Sequence, residues 1–100
     1  MEKIHPTSDQ VSAVICTLNS ASSIRMCLQS LRECGVGQIV VVDAESDDGT
    51  RAIADELADI VLTDPGIGLG HARNMGIART TGTFILNMGS DNVMPPAQLE

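Results

Sequence analysis

Few residues of this chain have side chains and spacings suited to chemistry. Asp43 ends an apolar run at residues 38–43 (QIVVVD). A carboxylate there can accept hydrogen bonds from an imide or ribose, or from the amides of its own turn, and both readings stand. Asp47 and Asp48 precede Gly49 and Thr50. Negative charge at such a helix start stabilises by about 0.3–1 kcal/mol, so these two read as capping residues. Arg73 falls in the first turn of a candidate helix, where it either reaches a phosphate or lies in solvent. Asp91 follows residues 83–88 (TFILNM), Gly89 and Ser90. A lone carboxylate at that place either holds a divalent ion shared with phosphates and water or is an ordinary turn residue before Asn92. Gly66, Gly68 and Gly70 lack the GxGxxG spacing and follow a third strand rather than a first, so they read as a loop. His71 reads as a helix-start surface residue, and Met75, Met88 and Met94 as core or loop filler.

These residues need elements to hold them. Residues 11–17 (VSAVICT), 38–43, 60–63 (IVLT) and 83–88 are short apolar runs rich in β-branched side chains, the pattern of strands covered on both faces. Between the first two, Ile24, Cys27, Leu28 and Leu31 recur at helical spacing, after N-cap candidates at residues 19–23 and before the helix-stopping Gly35 and Gly37. Ile53, Ala54, Leu57 and Ala58 form a second stripe, and a third helix is expected over about residues 71–80. Pro95 and Pro96 suit the first turn of another. Strands alternating with helices predict βαβ units: a Rossmann-like three-layer α/β/α fold with a mainly parallel four-stranded sheet. Ligands of such sheets bind outside the carboxyl ends of the strands. Thr17, Asn19, Asp43, Asp64, Ser90 and Asp91 all fall at that edge.

Composition narrows the class. The chain has 100 residues, 43% of them hydrophobic and 19% charged, a globular balance with room for one core. Its single aromatic residue is Phe84, so aliphatic side chains must fill the interior. Thirteen acids against six bases give a net charge of −7, a field that repels phosphate backbones and argues against nucleic acid as a partner. No apolar run reaches the roughly 18 residues of a membrane span, and residues 1–10 read as a polar lead-in without a signal core. Cys16, Cys27 and Cys34 form no CxxC pair and read as thiols of a reducing cytoplasm.

The order of the pieces is more specific than any one of them. Residues 11–19, 39–43, 46–50, 72–76 and 82–86, then Ser90 and Asp91, resemble the inverting family 2 glycosyltransferases from Val11 to about Pro96. The resemblance implies that residues 11–100 form the nucleotide-sugar-binding half of a GT-A fold, with a UDP-sugar favoured as donor. It implies that Thr17 and Asn19 line the nucleotide pocket, with Arg73 and Ser90 close to the nucleotide. Asp43 would accept a hydrogen bond from the base. Asp91 matches the last Asp of the DxD metal motif, implying Mg2+ or Mn2+ as cofactor.

Departures accompany the match. Gly89 stands where the first Asp of DxD belongs, Leu18 where an aromatic is usual, and Cys16 where proline is usual. The family's catalytic base, an acid well downstream of DxD, has no counterpart in these residues, so the chain is expected to be a donor-binding fragment inactive alone. A fourth strand left as an open edge predicts pairing with a second copy. The alternative is a non-catalytic nucleotide-binding or assembly module of the same fold. A receiver-like signalling domain does not fit, because its acid pair follows the first strand and the acids here follow the second.

Overall fold

The computed structural model describes residues 10–90. Its elements run β1 (Val11–Thr17), α1 (Ala21–Glu33), β2 (Gln38–Asp43), α2 (Thr50–Leu57), β3 (Ile60–Thr63), α3 (Leu69–Ala78) and β4 (Phe84–Gly89). The third helix begins two residues before its expected start, because the chain leaves the extended Gly68, at φ 139°, directly into helix. The expected helix after Pro95, the residue Asp91 and most of the polar lead-in lie outside the described residues.

All pairings in the sheet are parallel and the strand order is β3-β2-β1-β4. Side-chain alternation divides each central strand between two helical layers. Ala13, Ile15, Ile39 and Val41 point to one face and join Ile24, Cys27, Leu28 and Leu31 of α1 and Ala54 of α2 in the core. Burying each large aliphatic side chain of that cluster contributes about 1.5–3 kcal/mol. Val14 and Val42, one position along, point to the other face and meet α3 at Gly76. The sheet is therefore sandwiched, and the expected α/β/α layering is present.

Burial follows the strand order. β1 and β2 are almost wholly covered, whereas β3 and β4 sit at the edges and β4 leaves Phe84 and Ile85 each 41% exposed. The turn after α1 sets the register of β2. Gly35, at φ 78°, donates its amide to the Arg32 carbonyl while the Val36 amide reaches the Leu31 carbonyl. This paired closure needs a left-handed residue, which glycine supplies without a Cβ clash. Val36 is then buried against the core and the chain enters β2 in line with β1.

Candidate functional site

The carboxyl ends of β1, β2 and β4 open on two adjoining cavities. The larger, about 400 Å3, is lined by Asn19, Ser20, Ser22, Ser23, Arg73 and Ser90 over a floor that includes Val14 and Cys16. The smaller, about 310 Å3, is lined by Thr17, Leu18, Ala44, Asp64, Gly66 and Gly68. Cys16 and Leu69 belong to both. Thr17, Asn19, Arg73 and Ser90 thus all line one cavity or the other.

Asp43 is placed differently. Its side chain is 1% exposed and contributes to the lining of neither cavity. Oδ1 accepts the Thr17 hydroxyl at 2.6 Å and the Ser46 hydroxyl at 2.6 Å, and Oδ2 accepts the Ser46 amide at 2.9 Å. The turn-capping reading of Asp43 is realised by that amide bond. A carboxylate offers about four acceptor positions, so one on Oδ2 is left without a partner among the described residues. Thr17 and Ala44, the residues beside it, face the smaller cavity.

Asn19 and the acidic loop hold each other. Asn19 takes the left-handed φ of 48°, which asparagine tolerates better than most residues. Its Oδ1 accepts the Asp47 amide at 3.0 Å, and its own amide donates to Ser46 Oγ at 2.8 Å. The next two amides are met from the same loop: Ser20 N–H by Thr50 Oγ1 at 2.8 Å, Ala21 N–H by Asp48 Oδ2 at 3.1 Å. Three successive donors at the start of α1 are therefore occupied by side chains of the β2–α2 connection. Sequence reading assigned Asp47 and Asp48 to capping α2. Asp48 does accept the Thr50 amide at 3.1 Å, but it serves α1 as well, and Asp47 contributes its backbone. This cross-loop clasp was not visible in the sequence, because nothing local relates residues 19–21 to residues 46–50.

The clasp has an electrostatic signature. The Thr50 hydroxyl bonded to Asp48, aided by the Ala21 and Thr50 amides, holds the Asp48 carboxyl below its ordinary range against the opposing effect of burial. A carboxyl whose folded pKa is depressed adds stability above its unfolded pKa and loses it as pH falls through the folded value. Asp48→Asn should therefore lower the melting temperature at pH 7. The gap to the native chain should begin to narrow below about pH 4 and close once the pH has fallen below the depressed folded value, where the native side chain is uncharged too. Melting curves across that range check this; a gap that does not change with pH rules the account out.

Cys16 lies between opposite charges. Burial pushes its thiol above the usual value, Arg73 opposes that, and Asp64 adds to it. Asp64 also accepts the Gly66 amide at 2.8 Å, so the glycine loop carries a carboxylate at its base. Leu18 and Leu69, both on the smaller cavity, are 62% and 54% exposed. Ser90 Oγ lies 2.9 Å from Ser20 Oγ, tying the end of β4 to the start of α1. Among the described residues no three His, Cys, Asp or Glu side chains group as a metal site, and Asp91 lies beyond them.

Residues 12–100 match the family model described as glycosyl transferase family 2. The chain belongs to that family. A PGL/p-HBAD biosynthesis glycosyltransferase of Mycobacterium bovis is 36% identical over 89 residues, which cover 81% of this chain and 35% of that protein. Glycosyltransferase AglJ of Haloferax volcanii is 34% identical over 67 residues, covering 67% of this chain and 22% of that protein. Two solved structures share the fold. TarS of S. aureus superposes with a TM-score of 0.72 at 28% identity over 83% of this chain and 28% of that one. The mannosyltransferase PcManGT of Pyrobaculum calidifontis, solved with GDP-Man and Mn2+, gives 0.75 at 25% identity over 86% of this chain and 28% of that one. The chain spans about a third or less of the length of these relatives. The chain has the Rossmann-like α/β architecture of these neighbours, and no described helix is long and apolar enough to cross a membrane.

Proposed function

We propose that residues 11–100 are the donor-binding part of an inverting glycosyltransferase that takes a nucleoside diphosphate sugar. The observation that carries this reading is the pair of joined cavities at the sheet's carboxyl edge, of which the larger has a guanidinium in its wall. The base occupies the smaller cavity, between the aliphatic Leu18 and Leu69 and above Asp43. The diphosphate lies in the larger one, toward Arg73 and the hydroxyls of Ser20, Ser22, Ser23 and Ser90. Asn19 shapes the passage between the loops. A UDP-sugar is favoured as donor, supported by the UDP complex of TarS at 28% identity; the GDP-Man complex of PcManGT supports the diphosphate class more broadly.

In the reaction, an acceptor hydroxyl attacks the anomeric carbon from the face opposite the diphosphate. The new C–O bond forms as the bond to the diphosphate breaks, and the configuration inverts. The acceptor's proton passes to a carboxylate base that no described residue provides. Arg73 offsets charge on the departing diphosphate. A bound Mg2+ or Mn2+ would supply further neutralisation of the diphosphate in this chemistry. The described residues do not fit such an ion by themselves, since the position of the first motif carboxylate is Gly89. Asp91 is the proposed ligand.

Cys16 reports on this placement because it borders both cavities. UDP should slow its alkylation severalfold, while Cys34, at the C-cap of α1 and the far end of the sheet, reacts at an unchanged rate. The raised Cys16 pKa means the reaction is followed best above neutral pH. Equal rates at Cys16 with and without saturating UDP would remove the nucleotide from these cavities. Gly89 favours a second reading, a non-catalytic nucleotide-binding or assembly module. Turnover of a UDP-sugar once an acceptor-binding portion is joined to the chain decides against it.

A further inference from the structure

The placement of the base above Asp43 leaves open what aims that carboxylate. We propose that Ser46 is a positioning residue that sets the base selectivity of the site through Asp43; the proposal rests on the nucleotide reading above. Among the described residues, Ser46 alone bonds both oxygens of Asp43, through its hydroxyl to Oδ1 at 2.6 Å and its amide to Oδ2 at 2.9 Å. The same hydroxyl accepts the Asn19 amide at 2.8 Å. Its proton is thereby committed to Asp43 and its lone pair to the β1–α1 loop, so the hydroxyl cannot rotate without losing a bond. With the Thr17 hydroxyl also on Oδ1, the carboxylate plane is held at both oxygens and its open acceptor position is confined to Oδ2.

An acceptor-only group fixed in one plane distinguishes bases by polarity. Uracil presents an N3–H donor to it. Cytosine presents a bare N3 acceptor at the same ring position, and two acceptors facing each other in a buried place leave both without a partner. The site therefore takes UDP and rejects CDP, and Ser46 sharpens the distinction by keeping Asp43 from turning toward an alternative donor. Ser46 touches no ligand in this arrangement. Its removal acts on selectivity through the carboxylate.

The test is the ratio of CDP to UDP dissociation constants, measured by calorimetry on the whole chain together with its melting temperature. Ser46→Ala should lower the ratio about tenfold, the scale of one hydrogen bond to a charged group. Ser46→Thr, which keeps the hydroxyl, should restore it. In the Asp43→Ala background, Ser46→Ala should leave the ratio where Asp43→Ala alone sets it. If Ser46→Ala fails to fold, Ser46→Cys, close in size with a weak donor, reads the same ratio. A merely structural serine would weaken UDP and CDP equally and leave the ratio at its native value, which overturns the proposal while the nucleotide reading stands. If the native chain binds neither nucleotide, the nucleotide reading itself fails and this proposal with it.

Discussion

Gly76→Ala is expected to melt about 5–15 °C below the native chain, the shift that a loss of roughly 1–2 kcal/mol produces in a domain of this size. The cause is the approach of α3 to the sheet. A Cβ on Gly76 would lie 2.4 Å from Val14 Cγ1 and 3.2 Å from Val42 Cγ2. Both valines are buried on the two central strands, and a β-branched side chain packed there is restricted at χ1 and has little room to retreat. Alanine in a helix gains about 1 kcal/mol over glycine, whereas forcing an extra methyl into a packed contact costs about 1–3 kcal/mol. At 2.4 Å the contact is short enough for repulsion to win, and α3 must shift. Arg73, one turn earlier on the same helix, shifts with it, so UDP affinity should fall as well. Gly70→Ala is the control: it lies on the same helix with nothing within 4 Å of its added methyl, and it should melt no lower than the native chain. Val14→Ala should partly rescue Gly76→Ala by vacating the space. Equal melting of the two glycine variants would show that α3 does not rest on the sheet through Gly76.

The fold was legible because its signals are local and redundant. The aliphatic runs at residues 11–17 and 38–43 are covered on both faces, as continuous apolar strands between two helical layers must be. The stripe of Ile24, Cys27, Leu28 and Leu31 is wholly buried, and glycine ends its helix at the expected place. The chain also belongs to the family its motif order resembled. What escaped the sequence is pairing between loops. Ser46 lies in the turn that follows Asp43, yet its hydroxyl joins Asp43 to Asn19; Asp48 looked like a cap for one helix and serves two. Such bonds depend on β1 and β2 being neighbours in parallel register, with Thr17 beside Asp43, and no local periodicity encodes that. Gly76 is a similar case. Its place in the motif was plain, but the reason a methyl group does not fit there is a distance to strands far away in the chain.

The same parallel register makes Asp43→Ala the substitution with the largest expected effect on the site. The carboxylate accepts three donors in a place with 1% exposure. Alanine leaves the Ser46 amide without its acceptor, because the backbone cannot turn away. The hydroxyls of Thr17 and Ser46 can rotate, but only to poorer partners. At about 1–3 kcal/mol for each buried group left unsatisfied, the chain should lose about 2–4 kcal/mol of stability, read from urea unfolding. UDP affinity should fall separately by about 1.5–3 kcal/mol, the worth of a hydrogen bond to a charged acceptor, when calorimetry is confined to conditions where the variant is folded. Asp43→Asn preserves the shape and presents an amide NH2 to donors on one side or the other. It should lose nearly as much on both counts. The two measurements separate the roles of this residue. A variant that unfolds more easily yet binds UDP as the native chain does would leave Asp43 as the carboxylate of its own turn and nothing more. A loss on both axes supports a base seated on Oδ2, since Thr17 and the Ser46 hydroxyl already occupy the other oxygen.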